Sequence, residues 1–457
     1  MVKLIPQEIL DIYKRVDEAN FQVYLVGGCV RNMLLGKPVK DWDIATSATP
    51  QDILKIFKEG FYDNKFGTVG VPLHTTVYGR IVEITTFRTE KGYSDNRRPD
   101  KVEWGKNIEE DLARRDFTIN AIALKLKPQP QGSTHEIIDP YEGQKDIGKK
   151  IIRAVGNPKE RFKEDALRLM RAVRIATEFS FTIEKKTWEE IIADAPLITK
   201  VSGERIRIEL LRILASDKAY EGILLLQKSN LLNYILPELM EGVGISQKRP
   251  GRHHIDDVFT HNLLSMKFCP SLDPIIKFAA LLHDVGKPKV RSLDEKGLVV
   301  FYNHEVAGAN VARNICDRLK FSKKERDKIV NLIRWHMFTV DEKVSDAGIR
   351  RFIRRIGVEN VKDMIDLRIG DRLGGGTQTA ESWRLKLFKK RIEDQLKPLP
   401  FSINDLAIDG NDIMKELKIK PGPKVGEILQ KLFLEVDEDL SKNNREYLIK
   451  RIKQLKE

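Results

Sequence analysis

Residues 25–49 read LVGGCVRNMLLGKPVKDWDIATSAT, and the order of residue types there decides the fold of the first third of the chain. A β-like run at 21–26, FQVYLV, enters Gly27-Gly28, and a helical VRNMLLG follows. Without side chains, Gly27 and Gly28 let backbone N–H groups approach phosphates where a helix begins. Arg31, one turn on, can pair with the same phosphates as a bidentate donor. Ten residues later come Asp41 and Asp43, at strand spacing, so both carboxylates point to one face. Oxygen ligands so placed suit Mg²⁺, which keeps waters and takes one or two carboxylates plus substrate phosphates. Two metals between such carboxylates and a triphosphate stabilise in-line attack by a 3′-hydroxyl and departure of pyrophosphate. Glu83, in the alternating run GRIVEITTF, is the candidate third carboxylate on a neighbouring strand. Singly, Gly-Gly reads as a turn and Asp-x-Asp as a solvated loop; together, in this order, they favour the functional reading.

Further β-like runs lie at 68–73, 75–84 and 135–138, with turn signals at Asp139-Pro140 and Gly143. From about residue 160 the apolar period becomes helical, as in RFKEDALRLMRAVRIATEF, GERIRIELLRILAS and YEGILLLQKSNLLNYI. A polar, Gly/Pro-bearing stretch at 241–251 reads as a linker. These shifts divide the chain into 1–150, 151–240, 250–376 and 377–457. The 457 residues carry 80 Lys plus Arg against 67 Asp plus Glu, a net charge of +13, which favours a polyanionic partner and, before any motif is considered, nucleic acid over an anionic membrane. Three widely spaced cysteines exclude a disulfide framework and a Cys-ligated zinc site. No apolar run approaches a membrane span and the first residues contain no apolar leader core, so a cytoplasmic location and no membrane partner are expected.

Two further blocks carry chemistry. Residues 111–123 read DLARRDFTINAIA, and residues 164–174 read EDALRLMRAVR. Asp165 and Arg168, three apart on a helix, would sit side by side. A carboxylate accepts from an exocyclic amine while a guanidinium donates to a ring N or O; cytosine and adenine offer that pattern, and uracil and guanine present it reversed. Arg171 and Arg174, each three residues further on, could reach phosphates.

With GG-x-V-R, LG and D-x-D-I-A-T in this order, the sequence resembles the class II tRNA nucleotidyltransferase and bacterial poly(A) polymerase family, of the polymerase-β-like superfamily. The block at 111–123 is similar to the family's RRD motif; the resemblance implies that Arg114 and Arg115 touch the triphosphate or ribose and that Asp116 orients them. The block at 164–174 is similar to its E-D-x-x-R nucleotide-selecting helix. Asn32 departs from the family's usual Asp, which weakens charge pairing with Arg31. The polar, Gly-bearing stretch TTFRTEKGYSDNRRPDKVEW at 85–104 reads as the loop that CC-adding members lack, and Lys65-Phe66-Gly67-Thr68-Val69 is not the basic signature of the family's poly(A) polymerases. CCA addition to the tRNA 3′ end with CTP and ATP is therefore the expected function, ahead of A-addition or poly(A) synthesis.

Six of the eight histidines lie between His253 and His336. The apolar run around AALLHDVGK predicts a buried helix ending in His283-Asp284. With His261, His304, His336 and Asp371 the set resembles the HD phosphohydrolase superfamily, while His253 and His254 read as ordinary. Mixed imidazole and carboxylate donors favour Ni, Mn, Co or a similar ion over Mg alone, and a metal there would activate water against a phosphoester. Both a working and an idle centre fit the residues. The tail contains PGPKVG at 421–426 and a basic end in which Lys424, Arg445, Lys450 and Arg451 are expected to hold tRNA by its backbone. The whole implies an α+β class: a polymerase-β-like head of mixed sheet plus helices, then an all-helical neck, an HD-containing body and a basic helical tail. The rival of another class is an HD phosphohydrolase whose N-terminal half only binds RNA.

Overall fold

The computed structural model describes residues 4–62, 67–73, 81–91, 101–105, 107–127, 134–247, 257–396 and 402–455. The chain divides into two compact units, Met1–Met240 with Arg318–Lys320, and Glu241–Asp317 with Phe321–Glu457. No helix among the described residues is long and apolar enough to cross a membrane.

The first unit runs α1 (Gln7–Glu18), β1 (Val23–Val26), α2 (Gly28–Leu34), β2 (Asp43–Thr46), α3 (Pro50–Ile56), β3 (Phe61–Tyr62), β4 (Thr68–Pro72), β5 (Ile81–Thr86), β6 (Arg88–Lys91), β7 (Lys101–Trp104), α4 (Ile108–Ala113), β8 (Ala123–Lys127), β9 (Thr134–Ile138) and α5 (Gly143–Lys149). The main sheet is mixed, with order β3-β4-β5-β2-β1-β8-β9. β1, an interior strand next to the central β2, is VYLV and buried along its length, as a strand covered on both faces must be. β2 and β5 pair in parallel with Asp43 opposite Glu83, whereas β1 pairs antiparallel with β2 and β8. Because paired residues share a face, this register sets the two carboxylates side by side.

The stretch at 85–104 is not a loop throughout. Thr85 and Thr86 end β5, and β6 and β7 form an antiparallel ribbon pairing Arg88 with Trp104 and Lys91 with Lys101. Thr and Trp favour a pleated surface, and that preference prevails over the polar composition. Residues 92–100, 63–66 and 248–256, with His253 and His254, lie outside the described residues.

The helical remainder of this unit holds β10 (Ile151–Ile152), α6 (Pro158–Glu164), α7 (Leu167–Phe179), β11 (Thr182–Ile183), α8 (Lys185–Asp194), α9 (Gly203–Leu214), α10 (Ala219–Lys228), α11 (Leu232–Ile235) and α12 (Pro237–Met240). The parallel pair β10–β11 interrupts what the periodicity presents as all helix. RFKEDALRLMRAVRIATEF is also not one helix. It breaks at Asp165 (φ −142°), whose carboxylate accepts from the backbone N of Leu167 at 3.1 Å. Aspartate competes for backbone donors in this way, which is why it favours helix ends.

The second unit runs α13 (Val258–Phe268), α14 (Pro274–Leu282), α15 (Lys287–Val290), the hairpin β12 (Ser292–Leu293) and β13 (Val299–Val300), α16 (His304–Arg318), α17 (Lys323–Trp335), α18 (Asp346–Ile356), α19 (Val361–Gly374), α20 (Trp383–Leu396), α21 (Gly410–Leu417), α22 (Pro423–Glu438) and α23 (Arg445–Gln454). α13 and α19 pack backbone to backbone: a Cβ at Gly370 would overlap the Ser265 carbonyl, and one at Gly374 would overlap its hydroxyl. Ile349, Ile353, Leu385, Phe388 and Ile392 join α18 to α20, while Ile413, Leu432, Val436, Leu448 and Ile452 form the core of the last three helices. Asp437 is fully buried on α22 and accepts from Arg350 and Arg354 of α18.

Candidate active site and a second buried centre

β1 ends in Gly27, whose φ of +75° only glycine adopts without strain. A Cβ there would stand 2.7 Å from Arg115 Nη1 and 3.4 Å from Asp43 Oδ2, so the bare turn is what lets a cation and a carboxylate converge over it. Trp42, buried, pins the start of β2, with exposed Asp41 before it and Asp43 after it. Burial raises the Asp43 pKa, Asp41 adds to the rise, and Arg115 opposes it. With Glu83 paired alongside Asp43, the donors gathered here are all carboxylate oxygens. The set fits a hard divalent cation such as Mg²⁺.

Asp111, fully buried on α4, holds both arginines of the next turn: Arg114 Nε lies 3.0 Å from Oδ1 and Arg115 Nη2 lies 3.0 Å from Oδ2. Asp116 was expected in that role, but it faces elsewhere. It accepts from Arg171 Nε and Nη2 at 2.8 and 2.6 Å, from Asn120 Nδ2 at 3.1 Å and from the backbone N of Phe117 at 2.8 Å. Burial works against its charge, yet Arg171 outweighs it and holds the carboxyl well below its ordinary value. Asn120 in turn accepts from Arg31 Nη1 at 2.6 Å. Arg31 also donates to Asn32 Oδ1 at 3.2 and 2.9 Å and lies 4.4 Å over the Phe179 ring. Asn32 thus orients Arg31 without neutralising it. Burial, with Arg174 adding to it, lowers the Arg31 pKa to about 10.

These groups surround a cavity of about 720 Å³ lined by Gly27, Gly28, Arg31, Asp41, Asp43, Arg115, Asp116, Arg171 and Arg174, to which Lys37, Lys40 and Asn120 are added. Arg174 belongs to its wall, held by Glu209 at 2.5 Å and Glu178 at 2.7 Å. Arg114 does not line it. The i+3 and i+4 spacing of Asp111 to Arg114 and Arg115 was the signal for the true orienting acid.

Asp165 and Arg168 are not side by side on one helix, nor do they line this cavity. Asp165 accepts from both terminal nitrogens of Arg205, at 3.1 and 2.8 Å. Arg168 donates to Glu164 at 2.6 Å, to the Arg161 carbonyl at 3.1 Å and to the Arg114 carbonyl at 2.8 Å. The backbone joins them, the Arg168 N–H donating to the Asp165 carbonyl at 2.9 Å. Arg161 reaches the Ala113 carbonyl at 3.0 Å, so three arginines of α6 and α7 tie this element to residues 113–116.

In the second unit, six side chains of the histidine block converge. His261 Nε2 lies 3.2 Å from His283 Nε2, 3.3 Å from Asp284 and 3.3 Å from Asp371. Asp284 is 3.2 Å from His304 and 3.7 Å from His336, whose Nε2 is 3.3 Å from that of His304. His283, His304 and His336 each place Nδ1 on a backbone carbonyl, at 2.8, 2.8 and 2.7 Å, which turns Nε2 toward the cluster. Two triads, His261–His283–Asp371 and His283–Asp284–His336, have metal-ligand spacing. Lys287 and Asp284 form a close ion pair beside them. Burial disfavours the charged form of His283, but Asp284 and Asp371 overcome it and push its pKa up, whereas burial pushes His336 down. Imidazoles and carboxylates gathered this closely, with His283, His304 and His336 each oriented by a backbone carbonyl at the other ring nitrogen, are donors that a central cation would satisfy together.

On the basic tail, Lys424 and Lys450 are exposed, but Arg445 is paired with Asp412 at 2.5 Å and Arg451 with Glu435 at 2.7 Å. These acids offset part of the positive face the sequence suggested.

A family model described as "Poly A polymerase head domain" matches residues 23–153, one described as "Probable RNA and SrmB- binding site of polymerase A" matches 180–242, and one for tRNA nucleotidyltransferase domain 2 matches 292–452. The chain is 47% identical over 431 residues to the CCA-adding enzyme of Lactobacillus delbrueckii subsp. bulgaricus, covering 93% of this chain and 91% of that protein. It is 33% identical over 447 residues to that of Limosilactobacillus reuteri, covering 97% and 95%. Among solved structures it is similar to the CCA-adding enzyme of Bacillus stearothermophilus in complex with CTP, with a TM-score of 0.67, 26% identity and coverage of 98% and 97%.

Proposed function

This chain belongs to the CCA-adding enzyme family, and from that premise we propose that the cavity over Gly27 takes the triphosphate of CTP and ATP in turn. The reaction is template-independent addition of C, C and A to the 3′ end of tRNA. The observation that carries the site assignment is the convergence at Gly27 of Arg115 and Asp43, with Glu83 in register beside Asp43.

Arg115 and Arg171 are the cations best placed for the phosphates, because Asp111 and Asp116 fix their planes from behind. Arg31 completes the cradle through a neutral partner and keeps its full charge for the ligand. Asp41, Asp43 and Glu83 offer the oxygen ligands for Mg²⁺. Divalent metal ions, which such enzymes use, stabilise the attacking and leaving oxygens. Arg114 acts from outside the cavity: its carbonyl anchors Arg168.

Asp165 and Arg168 remain the proposed base readers. Their present partners, Arg205 and Glu164, are what a base edge replaces, with the carboxylate taking the exocyclic amine and the guanidinium donating to the ring. Because α6 and α7 are tied to residues 113–116, base and triphosphate are read by one framework. Lys424 and Lys450 are the exposed tail lysines proposed to meet the tRNA backbone. The test is incorporation of labelled CTP and ATP into tRNA lacking its last three nucleotides. The wild-type chain completes the end and Asp43→Ala incorporates neither, with tRNA binding retained; incorporation at the wild-type rate by Asp43→Ala would refute the assignment.

A second reading has its own observation in the six converging side chains of the second unit. His261, His283, Asp284, His304, His336 and Asp371 are proposed to hold a divalent ion such as Ni, Mn or Co, since imidazole and carboxylate donors mixed at this spacing suit those metals. Such an ion activates water toward a phosphoester.

A further inference from the structure

Two adjoining pockets of the second unit, about 420 and 470 Å³, share Met337, Phe338 and Thr339. Their walls include sequence neighbours of the His/Asp cluster, whose own six members do not line them. Trp335 closes α17 and His336 follows it as the cap; Glu305 follows His304; Arg368 and Arg372 flank Asp371 on α19. Arg368 donates to Asp371 at 3.0 Å, and Arg334 lies 3.5 Å from Glu305.

The lining interleaves arginine with aromatic rings. Arg334 and Arg355 lie 4.4 and 5.0 Å over the Trp335 ring, Arg368 lies 5.7 Å over Phe338, and Arg384 lies 5.4 Å over Trp383, which is 59% exposed. Arg355, Arg372 and Arg384 have no carboxylate partner among the described residues, and the only acids in the two walls are Glu305 and Asp341. The Nε atoms of Arg368 and Arg372 are buried without a hydrogen-bond partner. A groove for a free anion needs the cations but not the half-buried Trp335 and exposed Trp383 rings, and a groove for an apolar peptide needs the rings but not the cations. Both together, in alternation, match a chain of bases and phosphates: bases stack on aromatic rings and guanidinium planes, and arginine forks take the phosphodiesters.

We propose that this double pocket is a groove for single-stranded RNA leading to the His/Asp cluster, with bases on Trp335 and Trp383 and phosphates at Arg355, Arg372 and Arg384. It rests on the metal-centre reading only for the chemistry that follows binding. The groove delivers a phosphoester to a centre distinct from the nucleotide-adding cavity of the other unit.

The test uses the full chain in EDTA with a short oligouridylate carrying one 4-thiouridine, irradiated and mapped by mass spectrometry. Cross-links are expected on the segment 335–338 and at Trp383. Arg355→Ala and Trp383→Ala should each cut that yield about tenfold, while CTP incorporation into tRNA and the thermal midpoint stay at wild-type values. Excess oligoglutamate should not compete at equal charge. Cross-links confined to other segments, yields unchanged in both variants, or equal competition by oligoglutamate would each overturn the groove. Mn²⁺ binding by the same proteins is measured separately by calorimetry: cross-linking without metal binding removes the metal-centre reading and leaves the groove, and metal binding without cross-linking does the reverse.

Discussion

Asp116→Asn isolates the charge at the hub of the cavity while leaving its size unchanged. The wild-type carboxylate holds Arg171 through two hydrogen bonds and Asn120 through one, and Asn120 passes the constraint to Arg31. The amide oxygen of the variant can still accept, but it carries no charge and its NH₂ group is a poor neighbour for a guanidinium. A hydrogen bond to a charged group contributes about 1.5–3 kcal/mol. The Arg171 side chain is 33% exposed, so water takes over part of the loss and a figure near the lower end, about 2 kcal/mol, applies. That corresponds to about a 30-fold fall in kcat/KM for CTP, with a fall in Tm of about 4–8 °C for a unit of this size. The sign with pH follows from the depressed carboxyl pKa. The charge stabilises the fold above the ordinary carboxylate value near pH 4 and the effect is lost on acidification below it, so the variant's Tm should vary less than wild type between about pH 4 and pH 2. Single-turnover CTP incorporation and thermal melts across pH measure these directly. A variant with lowered Tm but wild-type kcat/KM per folded molecule would show that the pair only props the fold, and the phosphate-positioning role would be withdrawn.

Three other outcomes follow from the same contacts. Asp165→Ala and Arg168→Ala should each bring the kcat/KM ratio of CTP to UTP toward unity while tRNA affinity holds, since an unpaired buried polar group costs about 1–3 kcal/mol; a wild-type ratio in both means the base is read elsewhere. His283→Ala should abolish any Ni²⁺- or Mn²⁺-dependent cleavage of RNA phosphoesters and leave nucleotide addition intact, and loss of both activities together would contradict two separate centres. Asp437→Ala strands the buried guanidinium of Arg350, a loss of about 3–5 kcal/mol, and should lower the melting of the second unit by about 10 °C; an unchanged melt would show that Arg350 and Arg354 find solvent instead.

The sequence made the nucleotide site legible where geometry follows from local order. Gly27, Asp41 and Asp43 lie within one strand–turn–helix–strand unit, so spacing alone states their proximity. Glu83 was legible as a strand residue, but its pairing with Asp43 depends on a parallel register that no local pattern encodes. The assignment of Asp116 to Arg114 and Arg115 failed because adjacency in sequence was taken for adjacency in space: after α4 ends, the chain turns and Asp116 faces α7 instead. The break at Asp165 was hidden because helical period continues on both sides of it, and period reports burial, not continuity of hydrogen bonding. The six converging side chains of the second unit were readable as residue types, since His and Asp in buried helices need partners. Their convergence came from α13 and α19 packing at glycines, which composition does not reveal.

Asp165 occupies two offices at once. Its carboxylate starts α7 and, in the proposed reading, also judges the incoming base. Changing the enzyme's nucleotide preference at this position therefore cannot be a change of preference alone. Asparagine would keep an oxygen for the Leu167 backbone while adding a donor for a carbonyl-bearing base, so the junction would survive. Larger or apolar residues would alter the alphabet and unseat the helix together. The admissible letters at this position are those that can also begin a helix, so the fold itself limits how the code can drift.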